Sequence, residues 1–343
     1  MLKFRVIICW LLVFQFLIVG SAQAGELRSS VKICSLNMHN FGIKEEKDNK
    51  SKVKKKIANQ QKKQLKFLVE RVQKAKCDIV ALQEVYGKSA KEAKKNLKKF
   101  QTAVSLATKQ DYLSYYAKTN DKFIRNGYLY RKALGQVKWR HLYRIPVPRL
   151  NADAPSRRFP RGPLVLSLEL STQYFTKAKK LYLIDYHLKS KLSGWKDLSE
   201  FDFELNRIET AEAVRKIAEE RDKQLDTIVL FMGDRNADTD SATDEVLSGK
   251  LNLVDFKGMC SIDKKYLSAH CAGYQRRPAK FIGMLAKKIG SNVAHSYKYK
   301  DKEFLYDEIY ISARSAQLIK KVGTVGTYGQ GSDHLLVWAE VGL

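Results

Sequence analysis

Apolar residues recur along this chain in two rhythms that take turns. Val31-Lys32-Ile33-Cys34-Ser35-Leu36 alternates as a strand does and stops at Asn37-Met38-His39-Asn40. From Ser51 to Lys76, Val53, Ile57, Leu65, Leu68 and Val72 fall on one face of a helix, leaving lysines on the other. Asp78-Ile79-Val80-Ala81-Leu82 reads as a second strand running into Gln83-Glu84, and Ala93, Leu97, Phe100 and Val104 mark a second helix. Strand, helix, strand, helix predicts an α/β fold.

The same alternation continues downstream. Tyr112–Tyr116, Gly127–Arg131, Leu164–Leu170 and Leu181–Tyr186 read as strands, the last stopping at His187. Between Pro146 and Pro163, five prolines predict a loop, which carries Arg149, Arg157, Arg158 and Arg161. Leu205, Ile208, Ala211, Val214 and Ile217 sit three apart on a helix that leads into Thr227-Ile228-Val229-Leu230-Phe231-Met232, a buried strand. Gly233 is expected to let the backbone turn there, presenting Asp234 and Asn236 beyond the strand's end. Phe304–Ser312 and Leu335–Val341 are the last expected strands, and Tyr274–Lys300, basic and partly aromatic, shows no clear period.

Composition adds location and partner. Lys3 and Arg5, the apolar run Val6–Val19 and Ala22-Gln23-Ala24 predict a signal peptide over residues 1–24, hence export to a periplasm or beyond the cell. Residues 25–343 then suit one domain, expected to act as a monomer. The chain of 343 residues carries a net charge of +27, of which Lys3 and Arg5 supply two. So large an excess points to a polyanionic partner such as nucleic acid, an anionic membrane or an acidic polysaccharide. Among the cysteines, Cys260 and Cys271 flank a polar segment and are expected to form a disulfide in an oxidising compartment. Cys34 and Cys77 lie in or beside apolar strands and are expected to be buried thiols.

The strand ends share one chemistry. Asn37 and Glu84 follow the first two strands, and His187 and Asp234 follow two more. Asp307 opens the strand at Glu308, and Asp333-His334 precede the last. Loops at strand ends converge without disturbing a core, so these six edges are expected to form one site. A carboxylate beside an amide, as in Asp234 and Asn236, suits a hard cation together with a phosphate. No cysteine, Ser/His/Asp set or Gly-rich phosphate loop competes with it.

Seven stretches together resemble a known family. In order they are Ser35-Leu36-Asn37, Asp78–Val85, Phe159-Pro160-Arg161-Gly162-Pro163, Tyr186-His187, Met232–Asp238, Tyr306-Asp307-Glu308-Ile309 and Ser332-Asp333-His334. The chain thereby resembles the endonuclease/exonuclease/phosphatase superfamily, of which pancreatic deoxyribonuclease is an exported member. The resemblance implies a four-layer α/β/β/α sandwich of two mixed sheets with helices outside, and a divalent cation, Mg²⁺ with Mn²⁺ or Ca²⁺ as alternatives. It implies that Glu84 holds the metal, with Asn37 and Asp333 helping through water. Asp307 would orient His334, which acts as general base or stabilises the phosphate, and a raised His334 pKa follows from that pairing. Asp234 would position the attacking water, Asn236 and His187 would bind phosphate oxygens, and Arg161 would brace the site. Where pancreatic deoxyribonuclease has an Arg directly after the metal-ligand motif, this chain has Tyr86. Between Lys118 and Arg131 the only carboxylate that could partner His187 is Asp121.

The leading reading is an exported Mg²⁺-dependent endonuclease that cuts DNA with little sequence preference. Its charge supports that, since each neutralised phosphate releases a counterion. The alternative is a lipid head-group phosphodiesterase of the sphingomyelinase or phosphoinositide type, with Phe281-Ile282-Gly283-Met284-Leu285 as a bilayer-inserting tip.

Overall fold

The computed structural model describes residues 27–42, 51–151, 153–175, 179–191, 200–255, 261–263, 268–270 and 276–343. Two six-stranded sheets pack face to face, with helices on the outer side of each. The centre of each sheet is a parallel pair: β1 (Ser30–Phe41) with β2 (Ile79–Tyr86), and β9 (Lys180–His187) with β10 (Thr227–Asp234). All other neighbours are antiparallel. In the first sheet β18 (Leu336–Gly342) and β17 (Ile319–Val325) extend from β1, and β4 (Ile124–Arg131) and β3 (Tyr112–Tyr116) from β2. In the second, β16 (Asp307–Ser312) and β13 (Phe281–Gly283) extend from β10, and β8 (Leu164–Leu170) and β5 (Gly135–His141) from β9.

A parallel pair needs a crossover, and a helix supplies each one. The first is α1 (Ser51–Ala75), which packs beside α2 (Ala90–Thr108); the second is α3 (Glu200–Asp222). Alternate residues of a central strand therefore meet different layers. Ile79 and Ala81 enter the core between the sheets, together with Leu230 and Met232 of β10. Val80 and Leu82 face α1 and α2 through Leu68, Val72, Leu97 and Phe100, while Val229 and Phe231 face Ile208, Ala211 and Val214 of α3. Burial on both faces is why these strands read as unbroken apolar runs.

Three expectations are corrected. Cys34 and Cys77 are not thiols but a disulfide, their Cα atoms 6.0 Å apart. Cys34 lies on the helix-facing side of β1, and Cys77 enters the neighbouring strand two residues before Ile79, so the parallel pairing brings them together. Replacing both by Ala should lower unfolding free energy by about 4 kcal/mol, given the 43-residue separation. Denaturant unfolding measures this, and an unchanged midpoint would refute it. Second, the segment Phe281–Leu285 is no exposed tip. Phe281, Met284 and Leu285 are buried, because β13 pairs with β16 and the short helix α5 (Met284–Ile289) packs on the inter-sheet core. Third, Gly233 does not turn the chain, since β10 continues through Asp234. At φ +147°, a Cβ on Gly233 would stand 1.8 Å from the Tyr186 carbonyl oxygen, so glycine is needed for the close approach of β9.

Residues 1–24, Cys260 and Cys271 lie outside the described residues. Between those cysteines, β11 (Ser261–Asp263) and β12 (Ser268–His270) pair antiparallel. The expected strand Phe304–Ser312 divides into β15 (Lys302–Phe304), which pairs with β14 (Tyr297–Tyr299), and β16. Among the described residues no helix is long and apolar enough to cross a membrane.

Candidate active site

Asn37, Glu84, His187 and Asp234 stand at the carboxyl ends of β1, β2, β9 and β10, so the two central parallel pairs deliver four side chains to one edge. Local irregularities aim them. The β1–β2 register shifts between Asn37 and Phe41, and the β2–β4 register shifts between Leu82 and Val85. His39, Asn40 and Glu84 there adopt left-handed φ of 48°, 53° and 59°. Such bulges bend a strand end and re-aim its side chains. Glu84 consequently accepts from Asn37 Nδ2 at 3.3 Å and from the Asn40 backbone N–H at 2.8 Å.

Asp234 is the hub of the cluster. Its Oδ2 accepts from Asn37 Nδ2 at 3.0 Å and lies 3.4 Å from His187 Nε2 and 3.8 Å from His334 Nε2. Its Oδ1 accepts from the Asn236 N–H at 2.8 Å, and Asn236, at φ 52°, turns its amide to the Leu188 carbonyl. Burial would push the Asp234 carboxyl up, but the imidazoles of His334 and His187 and the Asn236 N–H hold it well below the usual carboxylate range. Asp234 is thus ionised at any working pH.

The His334 dyad comes from antiparallel pairing. Asp307 is the register partner of Asp234 across β10 and β16. Its Oδ2 contacts His334 Nδ1 at 2.6 Å, and both residues are buried. Desolvation pulls the His334 pKa down, yet Asp307 and Asp234, with Asp333 beyond, push it up to about 10. Burial lifts Asp307, opposed chiefly by the charge of His334 and their hydrogen bond. Across this contact the proton stays on His334.

Arg161 reaches into the site from the proline-rich loop. Its Nη1 lies 2.6 Å from His187 Nε2 and donates to the Leu188 carbonyl at 2.8 Å, while Nε sits 3.8 Å from Asp121. Arg161 and Asp234 thus both face Nε2 of His187, whose Nδ1 is buried without a hydrogen-bond partner. Asp121 reaches His187 through Arg161. The neighbouring arginines are committed elsewhere: Arg149 and Arg157 both bind buried Glu209 of α3.

Asp333 stands apart from the other expected ligands, its Oδ1 2.7 Å from His39 Nδ1 at the half-open rim. One ligand atom from each of Asp234, Asp307 and His334 lies within 4.8 Å of the others. Asp307 and His334 already engage each other, whereas the Glu84 carboxylate is 18 % exposed and makes no ion pair with Lys or Arg among the described residues. A carboxylate without thiolate suits a hard divalent cation, and Glu84 fits that description, while Asn37 turns its NH₂ to Glu84 and Asp234 and its Oδ1 accepts from the His39 N–H.

Several site residues escape the strand-end pattern. Asp185, buried between the sheets, accepts from Gln83 Nε2 at 2.6 Å and the Gly127 N–H at 3.1 Å, tying the strand of Glu84 to that of His187. Arg235, wholly buried, donates to Asp244, Tyr310, Thr239 and the carbonyls of Leu305 and Ala237, fixing the loop after Asp234. Tyr297 packs its ring 4.7 Å from that of His334 and stacks on Tyr306. A charged residue inside an apolar strand, as Asp185 is within Leu181–Tyr186, is the one signal that marked any of them.

No protein-family profile matches the sequence, and no curated protein matches it. Solved structures do share the fold. An endonuclease/exonuclease/phosphatase family protein from Bacteroides thetaiotaomicron superposes with a TM-score of 0.55 at 14% identity, over 91% of this chain and 94% of its own. A mannosyl-6-phosphatase from the same organism gives 0.53 at 14% identity, over 92% of this chain and 100% of its own. D. rerio TDP2, complexed with a single-strand DNA product, gives 0.51 at 18% identity over 92% and 100%. The fold is that of the endonuclease/exonuclease/phosphatase superfamily, an α/β sandwich of two mixed sheets with helices outside.

Proposed function

On this endonuclease/exonuclease/phosphatase fold, we propose that the protein is an exported, metal-dependent phosphodiester hydrolase that cuts DNA with little sequence preference. The observation that carries it is the convergence of Asn37, Glu84, His187, Asp234, Asn236, Asp307 and His334 on one edge of the two sheets. The charge of +27 and the DNA product bound to a protein of this fold favour a nucleic acid as substrate.

Glu84, with Asn37 and Asp333 through water, would hold Mg²⁺, or Mn²⁺ or Ca²⁺, which would supply positive charge opposite the oxygens of the reacting phosphate. Asp234 accepts the proton of the attacking water as its oxygen bonds to phosphorus. The bond from phosphorus to the leaving oxygen breaks, and that oxygen takes a proton from solvent. His334 is already protonated, so it faces the phosphate as an imidazolium rather than as the base, and Asp307 keeps it oriented. The Asn236 amide and His187, braced by Arg161, line the phosphate's other side.

The lipid alternative loses its insertion element with the burial of Phe281, Met284 and Leu285. Metal-dependent release of acid-soluble nucleotides from DNA, run beside choline phosphate release from sphingomyelin liposomes, tests the proposal. Nucleotide release that stops with chelator is expected. Head-group release with DNA left intact would overturn it.

A further inference from the structure

Arg71 is the feature of the molecule that the strand-end chemistry leaves unexplained. It lies on α1, is 2 % exposed, and among the described residues has no carboxylate within ion-pair distance. Its guanidinium instead donates to four backbone carbonyls of a single loop. Nη2 reaches Thr327 and Gln330 at 2.8 Å and Ser332 at 3.3 Å, and Nη1 donates to the carbonyl of His334 itself. Burial draws its pKa down to about 10, with Asp333 and Asp307 acting against that, so it keeps its charge at neutral pH.

The loop is shaped around this side chain. Gly326 has φ +127°, and a Cβ there would stand 2.5 Å from Arg71 Nε. Two helical turns earlier, on the same face of α1, Gln64 Nε2 donates to the carbonyls of Met38, His39 and Gly331. Gly331, at φ +82°, is likewise packed against α1, where a Cβ would lie 3.0 Å from Phe67 Cβ. The end of β1 and the loop before β18 are therefore both pinned to one helix. A planar fork with five donors can hold several carbonyls in fixed directions, which a lysine ammonium does not match.

We infer that Arg71 is a positioning residue for the reaction: it sets the backbone of residues 327–334 so that the His334 imidazole stands between Asp307 and Asp234. The inference rests on the proposed role of His334 and deepens it. Arg71 touches no reacting atom, so its loss misplaces an imidazole rather than removing a binding contact. A small displacement of a catalytic group costs about 100-fold in rate. Substrate affinity, supplied by surface lysines, is left nearly unchanged.

The experiment compares Arg71→Gln, Arg71→Lys, Val72→Ala and His334→Ala on the full chain, with plasmid DNA and bis(p-nitrophenyl) phosphate as probes. Val72 is buried in the helix-facing core and makes the matched destabilised control, its thermal midpoint measured alongside. Arg71→Gln should lose about 100-fold in kcat with KM within about threefold. Arg71→Lys should recover part of that loss, and Val72→Ala should keep the parent kcat at a similarly lowered midpoint. Parent kcat in Arg71→Gln, or an equal kcat loss in Val72→Ala, would overturn the inference. If Arg71→Gln yields no folded protein, Arg71→Lys decides, with a kcat loss at unchanged KM supporting it and parent kcat overturning it. An active His334→Ala would sink the role of His334 itself, whereas an inactive one beside a fully active Arg71→Gln sinks this inference alone.

Discussion

His334→Ala should lose roughly 10³-fold in kcat, because it removes a preorganised cation from the phosphate's side of the site. Asp307→Asn should lose up to about the same 10³-fold, because the carboxylate acts only by orienting that imidazole. Binding of DNA, measured at fixed salt, should survive both changes, since lysines dominate that affinity. Nicking by His334→Ala at near the parent rate would remove this dyad from the mechanism. The same residue makes a pH prediction whose sign follows from its raised pKa. Its folded value of about 10 lies above the unfolded value near 6.5, so the stability it contributes is fully present below about pH 6.5. That contribution disappears as pH rises towards 10. Metal-free wild type should therefore lose thermal midpoint between neutral and alkaline pH, and His334→Gln should show less of this slope. Activity should hold through that range and fall only as the pH passes about 10, where folded His334 itself loses its proton, the opposite of what a neutral imidazole base would give.

Glu84→Gln is expected to cost at least about 100-fold in activity at limiting Mg²⁺. It deletes one unit of negative charge at almost constant volume, so metal binding suffers while the fold remains. Its carboxylate is only partly buried, and Asn37 and the Asn40 N–H hold it in place. Each oxygen accepts from one of these donors, so the amide of the variant also turns an NH₂ against one of them. Raising Mg²⁺ or substituting Mn²⁺ should restore part of the rate. Isothermal titration with Mg²⁺ checks the cause, and unchanged affinity in the variant would dissociate Glu84 from the metal.

Much of the architecture is legible in the sequence because it rests on local patterns. The central strands are apolar on both faces, which betrays a layer on either side of each, and the turns of α1 and α2 repeat their buried residues at helical spacing. Each strand of a parallel pair ends at the same edge, so polar residues at Asn37, Glu84, His187 and Asp234 mark a site before any contact is known. The edge strands β5 and β17 are different. Of their residues only Ile319 is fully buried, and they are held by pairing with β8 and β18 rather than by a pattern of their own.

What only the tertiary structure decided concerns partners far apart in the chain. The pairing of Cys34 with Cys77 follows from the parallel register of β1 and β2, and spacing in sequence pointed to another pair. The burial of Phe281–Leu285 depends on a neighbouring strand and core that no local period announces. Protonation of His334 is set by three carboxylates gathered from different elements against the penalty of burial, a balance absent from composition. Arg71 reads in sequence as one more positive residue on a lysine-rich helix. Packing alone turns it inward, because the carbonyls it binds lie about 260 residues away in the chain.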